Sequence, residues 1–524
     1  MNVAEILQQH ASRYPEQVAL ADVRRGHIRR TTYGELDRSA GRLAKLLKQS
    51  GLSAGDTVLV FHRMSTELYV ALAAIFRLGL VAMFVDPSAG SAYIERCCRL
   101  RPPQALIAGS KAHLLRLLMP ALRRIPLKFS IGCPVPGAIP TERASRLECD
   151  NAVQSTSPDA AALVSFTSGN TGEPKAAVRT HGFLLAQHRA IERSLSLVPG
   201  EVELVTLPIF VLANLASRVT SLIPNVDLRR PDEIDPEPIV SLIGQLGATR
   251  AAASPIVFDS IVEYCEVSDV TLPCVRKAFT GGGPVSPRLL ERLRDIMPYA
   301  EITVVYGSTE AEPISTVSFS EMDAEDLSAT SRGLGLLAGQ PVDCLKLRIL
   351  EDNWGRSIGP FSGDEFKRLF QPIGEPGEIV VQGEHVLSGY LNGQSNDVEN
   401  KIRVDDAVWH RTGDAGYLDQ RGRLWLLGRC AARVDDGRGA LYPFSVEHAA
   451  LRHDAIRRAA MVSLHGERVL AVELRRRREV PDLASLLKAL TFASVDSVRI
   501  VKRLPVDGRH NAKVDYFALH ALLE

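Results

Sequence analysis

At 524 residues the chain is too long for a single hydrophobic core, so two or more domains are expected. Its 62 Lys and Arg stand against 61 Asp and Glu, which leaves no global field to attract nucleic acid, and 45% apolar with 23% charged residues is ordinary for a globular protein. The eight cysteines show no Cys-x-x-Cys spacing and the N-terminus no signal-like pattern, so reduced thiols in a cytoplasmic protein are expected.

In chain order, Val3, Ile6 and Leu7 share one helix face, and Tyr33, Leu36, Leu43, Leu46 and Leu47 share another. Thr32 followed by Glu35 predicts a capping box at the start of the second helix. The run 68–85 is nearly all apolar, yet Arg77 sits at its centre and Gly79 comes soon after. It predicts a buried helix leading into a strand, and no integral membrane segment. Strands at 58–61, 82–85 and 105–108, with a helix from about Thr66, form βαβ units of a mostly parallel sheet covered on both faces.

Ala162-Leu163-Val164 predicts another buried strand. It is followed by Ser165-Phe166-Thr167-Ser168-Gly169-Asn170-Thr171-Gly172-Glu173-Pro174-Lys175. Hydroxyls, two glycines and a lysine suit a phosphate cradle, although a polar hairpin loop has the same composition. No Gly-Lys-Ser/Thr run occurs and the lysine leads into a possible strand at 176–179, so this is not a Walker A loop. Thr180 is placed to cap a helix through Leu184, Leu185 and His188.

Residues 203–210 read as a strand running into a turn, and 211–222 as a helix carrying Asn214 and Arg218. A strand at 251–254 ends at Pro255. The strand 276–279 runs into Gly281, Gly282, Gly283 and Pro284, then a helix over 288–297. Three glycines leave bare backbone against which a flat ring can lie. The β-branched run 302–305 delivers Tyr306, Gly307, Ser308, Thr309 and Glu310. An aromatic face, a hydroxyl and a carboxylate there suit a base, a phosphate and a Mg²⁺ ion; a polar turn is the plainer reading. Residues 351–377 read as a loop between strands ending near Leu350 and at 378–381. Asp414, in a glycine-flanked turn, is suited to accept hydrogen bonds from two vicinal ribose hydroxyls, and Arg429 could reach ribose or phosphate. The small, charged stretch 430–440 suits a hinge. Strands at 459–464, 469–474 and 498–501, with helices, make the tail a small α+β unit. Arg475 to Arg478 read as a solvated strand end or loop.

Taken in order, these runs resemble the signatures of the adenylate-forming superfamily of acyl-CoA synthetases, luciferases and adenylation domains. They are the 167–175 loop, 281–284, Tyr306-Gly307-Ser308-Thr309-Glu310, 377–390, Arg411-Thr412-Gly413-Asp414, Gly428-Arg429 and the 504–513 ending. Departures fall at Asn170, Ala176, Ala431 and Asn511-Ala512. The resemblance implies an α/β fold. A large N-terminal domain (1–429) would hold two α/β subdomains and a small β-barrel, joined by a hinge (430–440) to a small mobile α+β C-terminal domain (441–524). It implies ATP and Mg²⁺ as cofactors and a small-molecule carboxylic acid as substrate. Thr167, Ser168, Gly169, Asn170, Thr171, Gly172 and Lys175 would hold the β and γ phosphates. Gly281 to Pro284, Tyr306 and Gly307 would hold adenine, with Asp414 on ribose and Arg429 on ribose or phosphate. Thr309 would touch phosphate, Glu310 would hold Mg²⁺, and Lys513 would be the catalytic lysine bridging carboxylate and α-phosphate. Within the superfamily, residues 206–216, 223–227, 438–442 and 505–513 look like the β-lactone synthetases of bacterial long-chain olefin synthesis. Those enzymes adenylate a 2-alkyl-3-hydroxy fatty acid whose own hydroxyl displaces AMP. The alternative is a thioester-forming ligase using CoA or a carrier protein, and biosynthetic partner enzymes are possible in either case. A non-catalytic nucleotide-binding relative is a third reading, opposed by the retention of Lys175, Glu310, Asp414 and Lys513.

Overall fold

Thr32 opens the helix Tyr33–Gln49 as its spacing predicts. Its hydroxyl accepts from the Glu35 amide at 3.2 Å, and the Glu35 carboxylate accepts from the Thr32 amide at 2.9 Å. The structure is a computed structural model, and it describes all residues except 1, 25, 87–88, 169–172, 228–232, 392, 394–398, 454, 476–481 and 507–513. The chain divides into two compact units, one of Met1–Val226, Ser241–Ala252 and Gly389–Gly393, the other of Asp227–Val240, Ala253–Ser388 and Gln394–Glu524.

The first unit carries β1 (Val18–Arg24), β2 (His27–Thr32), β3 (Thr57–Phe61), β4 (Val81–Phe84), β5 (Ala105–Gly109), β6 (Leu127–Ile131), β7 (Ile139–Pro140), β8 (Ala161–Ser168), β9 (Pro174–Thr180), β10 (Val202–Val205), β11 (Thr220–Ile223) and β12 (Arg250–Ala253). One sheet runs β7-β6-β5-β3-β4-β8-β9, parallel until the closing β8–β9 hairpin. The other runs β12-β10-β11-β1-β2, parallel until β1–β2. The first sheet's inner strands are apolar throughout because both faces are covered; Leu59, Met83, Leu106, Val164 and Phe166 pack there with Ile94 and Leu122. Arg77, at the centre of the apolar run, is buried at the end of the helix Thr66–Arg77 and neutralised by Asp37. Among the described residues no helix is long and apolar enough to cross a membrane.

The second unit carries β13 (Lys277–Gly281), β14 (Glu301–Ser308), β15 (Ala311–Ser318), β16 (Leu336–Pro341), β17 (Leu345–Leu350), β18 (Gly377–Gly383), β19 (Lys401–Val404), β20 (Ala407–Leu418), β21 (Leu424–Arg429), β22 (Val434–Asp436), β23 (Gly439–Leu441), β24 (Ile456–Leu464), β25 (Glu467–Leu474) and β26 (Ser497–Val501). β13 and β14 are parallel; beyond them the order β14-β15-β16-β21-β20-β18-β17 is antiparallel, with β19 beside β20. These antiparallel strands stand where the small barrel is expected, and among the described residues they form an open path. The tail is α+β as its periodicity predicts. Met461, Leu470 and Val472 pack on Val446 of the helix Pro443–Ala450 and Leu486 of Leu483–Ala489. The alternate residues Val462, Val469 and Ala471 pack on Leu519 of Tyr516–Leu523.

Two local expectations change. The helix expected at 211–222 spans Pro208–Ser217, and Thr220–Ile223 is β11. Pro208 is favoured in a helix's first turn, and Arg218 ends the helix at a left-handed φ of 58°. The β-branched Thr220 and Ile223 then suit a buried strand. The 351–377 loop contains a short helix, Gly363–Lys367, capped by Ser362. The 430–440 stretch holds a one-turn 3₁₀ helix and the β22–β23 hairpin, whose Asp436 receives two hydrogen bonds from Arg468 at 2.7 and 2.8 Å. Of the basic run, Arg476, Arg477 and Arg478 lie outside the described residues.

Candidate active site

In the second unit, Gly281 ends β13 directly opposite Val305 of β14. A Cβ on Gly281 would stand 2.2 Å from the Val305 carbonyl oxygen, so this glycine is required by the close approach of two strands. Gly282 adopts φ +75°, with nothing within 4 Å of where its Cβ would lie. The bare backbone expected of the glycine run is therefore offered by Gly282, while Gly281 serves packing. Gly283 and Pro284 come next, half-buried, ahead of the helix Pro287–Ile296.

Tyr306, Gly307 and Ser308 finish β14, and Thr309 with Glu310 makes the two-residue turn into β15, since Ser308 pairs with Ala311. The turn's backbone is held on both sides. The Glu310 amide donates to Ser308 Oγ at 3.3 Å, and its carbonyl accepts from the Leu387 amide at 2.7 Å. Glu310 is thus a carboxylate on a fixed turn. Mg²⁺ commonly takes one or two protein carboxylates and fills its remaining positions with phosphate oxygens and water, so a single such group fits it. Among the described residues no three His, Cys, Asp or Glu side chains form a metal cage.

Asp414 lies inside β20, not in a turn, and its cross-strand partner is Arg429 of β21. Gly413 before it has φ +69°, the strained position the motif's glycine supplies, and its missing Cβ leaves room for the Trp354 ring. The Asp414 amide donates to Thr412 Oγ1 at 3.1 Å. Its carboxylate accepts from Arg429 at 2.8 Å through Oδ1 and from the Tyr306 hydroxyl at 2.8 Å through Oδ2. Three residues from separate motifs are thereby brought together. Burial, then the Asp414 charge, raises the Tyr306 phenol well above its ordinary range, so it stays a neutral donor. The Asp414 carboxylate raises Arg429 in turn, although 45% of that side chain is exposed. A carboxylate offers about four lone-pair sites, so Asp414 retains capacity for a diol after these two bonds.

Arg411 of the same motif has a role that its spacing does not indicate. It is fully buried against Glu378 of β18 with hydrogen bonds of 2.6–3.1 Å. Its remaining donors reach the carbonyls of Arg356 at 2.6 Å and Asn353 at 3.0 Å. It fixes the loop before β18 to β20, two positions from Gly413. The one sequence signal is the glutamate of the Gly377-Glu378 pair, with nothing to say that it opposes Arg411.

In the first unit the loop expected to cradle phosphate is the connection of the β8–β9 hairpin. Lys175 pairs with Thr167 and is 5% exposed. Gly169, Asn170, Thr171 and Gly172 lie outside the described residues. Ala176 accepts from the Leu391 amide at 2.9 Å, and Ala177 bridges Tyr390, so the Gly-Tyr element runs beside β9. Thr180 caps the helix His181–Ser194 as expected, accepting from the Phe183 amide at 3.1 Å. Lys513 lies outside the described residues. A cleft of about 330 Å³ in this unit, lined by Thr57, Arg101, Gln104 and Leu391 among others, contains none of the expected site residues.

The family described as AMP-binding enzyme matches residues 7–391. The olefin beta-lactone synthetase of Xanthomonas campestris pv. campestris is 31% identical, covering 98% of this chain and 96% of the relative. That of Stenotrophomonas maltophilia is 30% identical over the same shares. Among solved structures, the amide bond synthetase McbA from Marinactinospora thermotolerans superposes with a TM-score of 0.82 at 20% identity, covering 100% of this chain and 99% of that one.

Proposed function

The chain belongs to the AMP-binding enzyme family, whose members are AMP-forming ligases and synthetases, and on that premise we propose that it activates a long-chain 3-hydroxy fatty acid and closes it to a β-lactone. In the first step a carboxylate oxygen attacks the α-phosphorus of ATP. The new O–P bond forms as the bond to the β-phosphate oxygen breaks, and pyrophosphate leaves with the electron pair. In the second step the substrate's 3-hydroxyl oxygen attacks the acyl carbonyl, AMP leaves, and the hydroxyl proton passes to solvent or phosphate. No external thiol is required, because the nucleophile is carried by the acid.

In this reading Tyr306 presents its ring face to adenine, pinned by its hydroxyl to Asp414, and Asp414 and Arg429 hold the ribose. Thr309, Lys175 and the 167–172 loop bind phosphates, and fixed donors there are worth most where negative charge accumulates. Mg²⁺, held by Glu310, would neutralise phosphate charge. Lys513 would bridge the carboxylate and the α-phosphate, carried by residues 441–524 as they swing about 430–440, with the whole cycle in the cytoplasm. The observation that carries the nucleotide part is the Tyr306–Asp414–Arg429 cluster, built from three motifs on three strands. The lactone part is supported by likeness to two olefin beta-lactone synthetases over nearly the whole chain.

The test is product mass spectrometry after incubation with ATP, Mg²⁺ and a long-chain 3-hydroxy acid, without CoA. AMP and a product lighter than the acid by one water are expected, and a simple fatty acid should stall as bound acyl-AMP even with CoA. Rapid acyl-CoA formation from the simple acid, with no dehydrated product from the hydroxy acid, would overturn the lactone reading and favour a thioester-forming ligase.

A further inference from the structure

Between Glu95 and Glu142 the chain has no acidic residue but eight Lys and Arg, although the whole protein is nearly neutral. The charge is local, and the remainder of the chain is net acidic. Within this segment a helical turn runs through Ser110–His113 and Leu115–Leu118, its amides bonding Leu114 to Lys111 at 3.2 Å and Leu117 to Leu114 at 3.0 Å. One side of it is anchored. His113 is buried and meets the Phe129 carbonyl at 3.0 Å, Leu115 packs on the core that holds Leu122 and Ile125, and Met119 is buried. The other side is not. Lys111, Leu114, Leu117 and Leu118 share it at helical spacing, and the leucines are 63%, 77% and 77% exposed.

Three leucines so exposed on consecutive turns are costly in water unless something covers them. The surrounding charge indicates what. Lys111, Arg123 and Arg124 are exposed in the same segment, and Arg124 lies 3.5 Å from the Glu95 carboxylate. Arg116 reaches the Pro136 carbonyl. Apolar side chains rimmed by cations match the boundary between acyl chains and anionic headgroups, where leucines enter the bilayer edge and Lys and Arg meet lipid phosphate. A protein partner would instead favour aromatic anchors, which this face does not carry. We propose that the turn from Lys111 to Leu118, with Arg123 and Arg124, is an interfacial anchor that binds an anionic phospholipid bilayer. This goes beyond the proposed reaction and does not rest on it.

Flotation of the full chain with vesicles tests it. The chain should partition onto phosphatidylcholine vesicles containing about one-quarter phosphatidylglycerol and far less onto phosphatidylcholine alone, with binding weakened at about 0.5 M salt. Leu117→Ser with Leu118→Ser, and separately Lys111→Glu with Arg123→Glu, should each weaken binding by about tenfold or more. All four side chains are exposed, and an unchanged melting temperature verifies the fold of each pair independently. Equal partitioning onto both vesicles, or anionic binding that neither pair alters, overturns the proposal. So does a dimer that the leucine pair dissolves, which would make this face a contact between copies.

Discussion

Asp414→Asn is the most informative change at the site. It keeps the side chain's shape, and Thr412 still receives the residue-414 amide, so β20 should persist. It removes the charge facing Arg429 and replaces one acceptor oxygen by a donor. At Oδ1 or Oδ2 a new N–H group would then oppose either the Arg429 guanidinium or the Tyr306 hydroxyl, each 2.8 Å away. Two ribose hydroxyls donating to a carboxylate make charge-assisted bonds worth about 1.5–3 kcal/mol each. Even at the low end their joint loss is about 3 kcal/mol, roughly a hundredfold in ATP affinity. Calorimetry with ATP, AMP and their 2′-deoxy and 3′-deoxy forms on both proteins isolates this term. In wild type each deoxy form should bind at least about tenfold more weakly, and in the variant the deoxy penalty should largely vanish. A variant that binds ATP as wild type does, or keeps the full deoxy penalty, would refute the ribose assignment.

Gly281→Ala should lower the melting temperature by several degrees, at a cost of about 1–3 kcal/mol, because its Cβ meets the Val305 carbonyl; Gly282→Ala, with open space, should cost only about 1–2 kcal/mol of backbone strain. Glu447 is buried, accepts from Tyr516 Oη at 2.7 Å and the Met461 amide at 3.0 Å, and burial raises its pKa from 4.5 to about 7. The native state therefore holds a proton that the unfolded chain has released. Its contribution to stability is full below about pH 4.5 and falls by on the order of 3 kcal/mol as pH rises through 7, so Glu447→Gln should flatten denaturation midpoints measured from pH 5 to 8. Lys513→Ala should lower pyrophosphate exchange by about 10²–10³ while ATP affinity stays within a few-fold; exchange at the wild-type rate would remove Lys513 from the mechanism.

The features legible in the sequence are those decided within a few residues. Thr32 with Glu35, Thr180 before its helix and Pro255 just past a strand each act on backbone no more than a turn away, and each stands as expected. The helix expected at 211–222 is displaced for a local reason as well: Pro208 can end a strand or open a helix, and here it opens one. Partnership across strands is not legible. Arg411 and Glu378 are thirty-three positions apart, and no periodicity states that they share a buried ion pair. Likewise the two glycines near Asp414 suggest a turn, whereas ladder pairing to Arg429 keeps the aspartate extended.

The hairpin that opposes Asp414 and Arg429 is closed by one short turn. Leu418 faces Leu424, and between them Asp419 ties the Arg421 and Arg423 amides and the Trp425 indole. Residue count in this turn therefore carries information independent of residue identity. A single-residue insertion or deletion between 418 and 424 that is taken up as a slip of β21 against β20 would send the residue-429 side chain to the opposite face of the sheet, with every motif letter left intact. Descendants of this sequence should tolerate many substitutions at the exposed Gln420 before they tolerate one change of length, whereas Gly422, at φ +73°, is held to glycine by the turn. A relative that keeps both signatures but differs in spacing there should be suspected of having lost nucleotide binding.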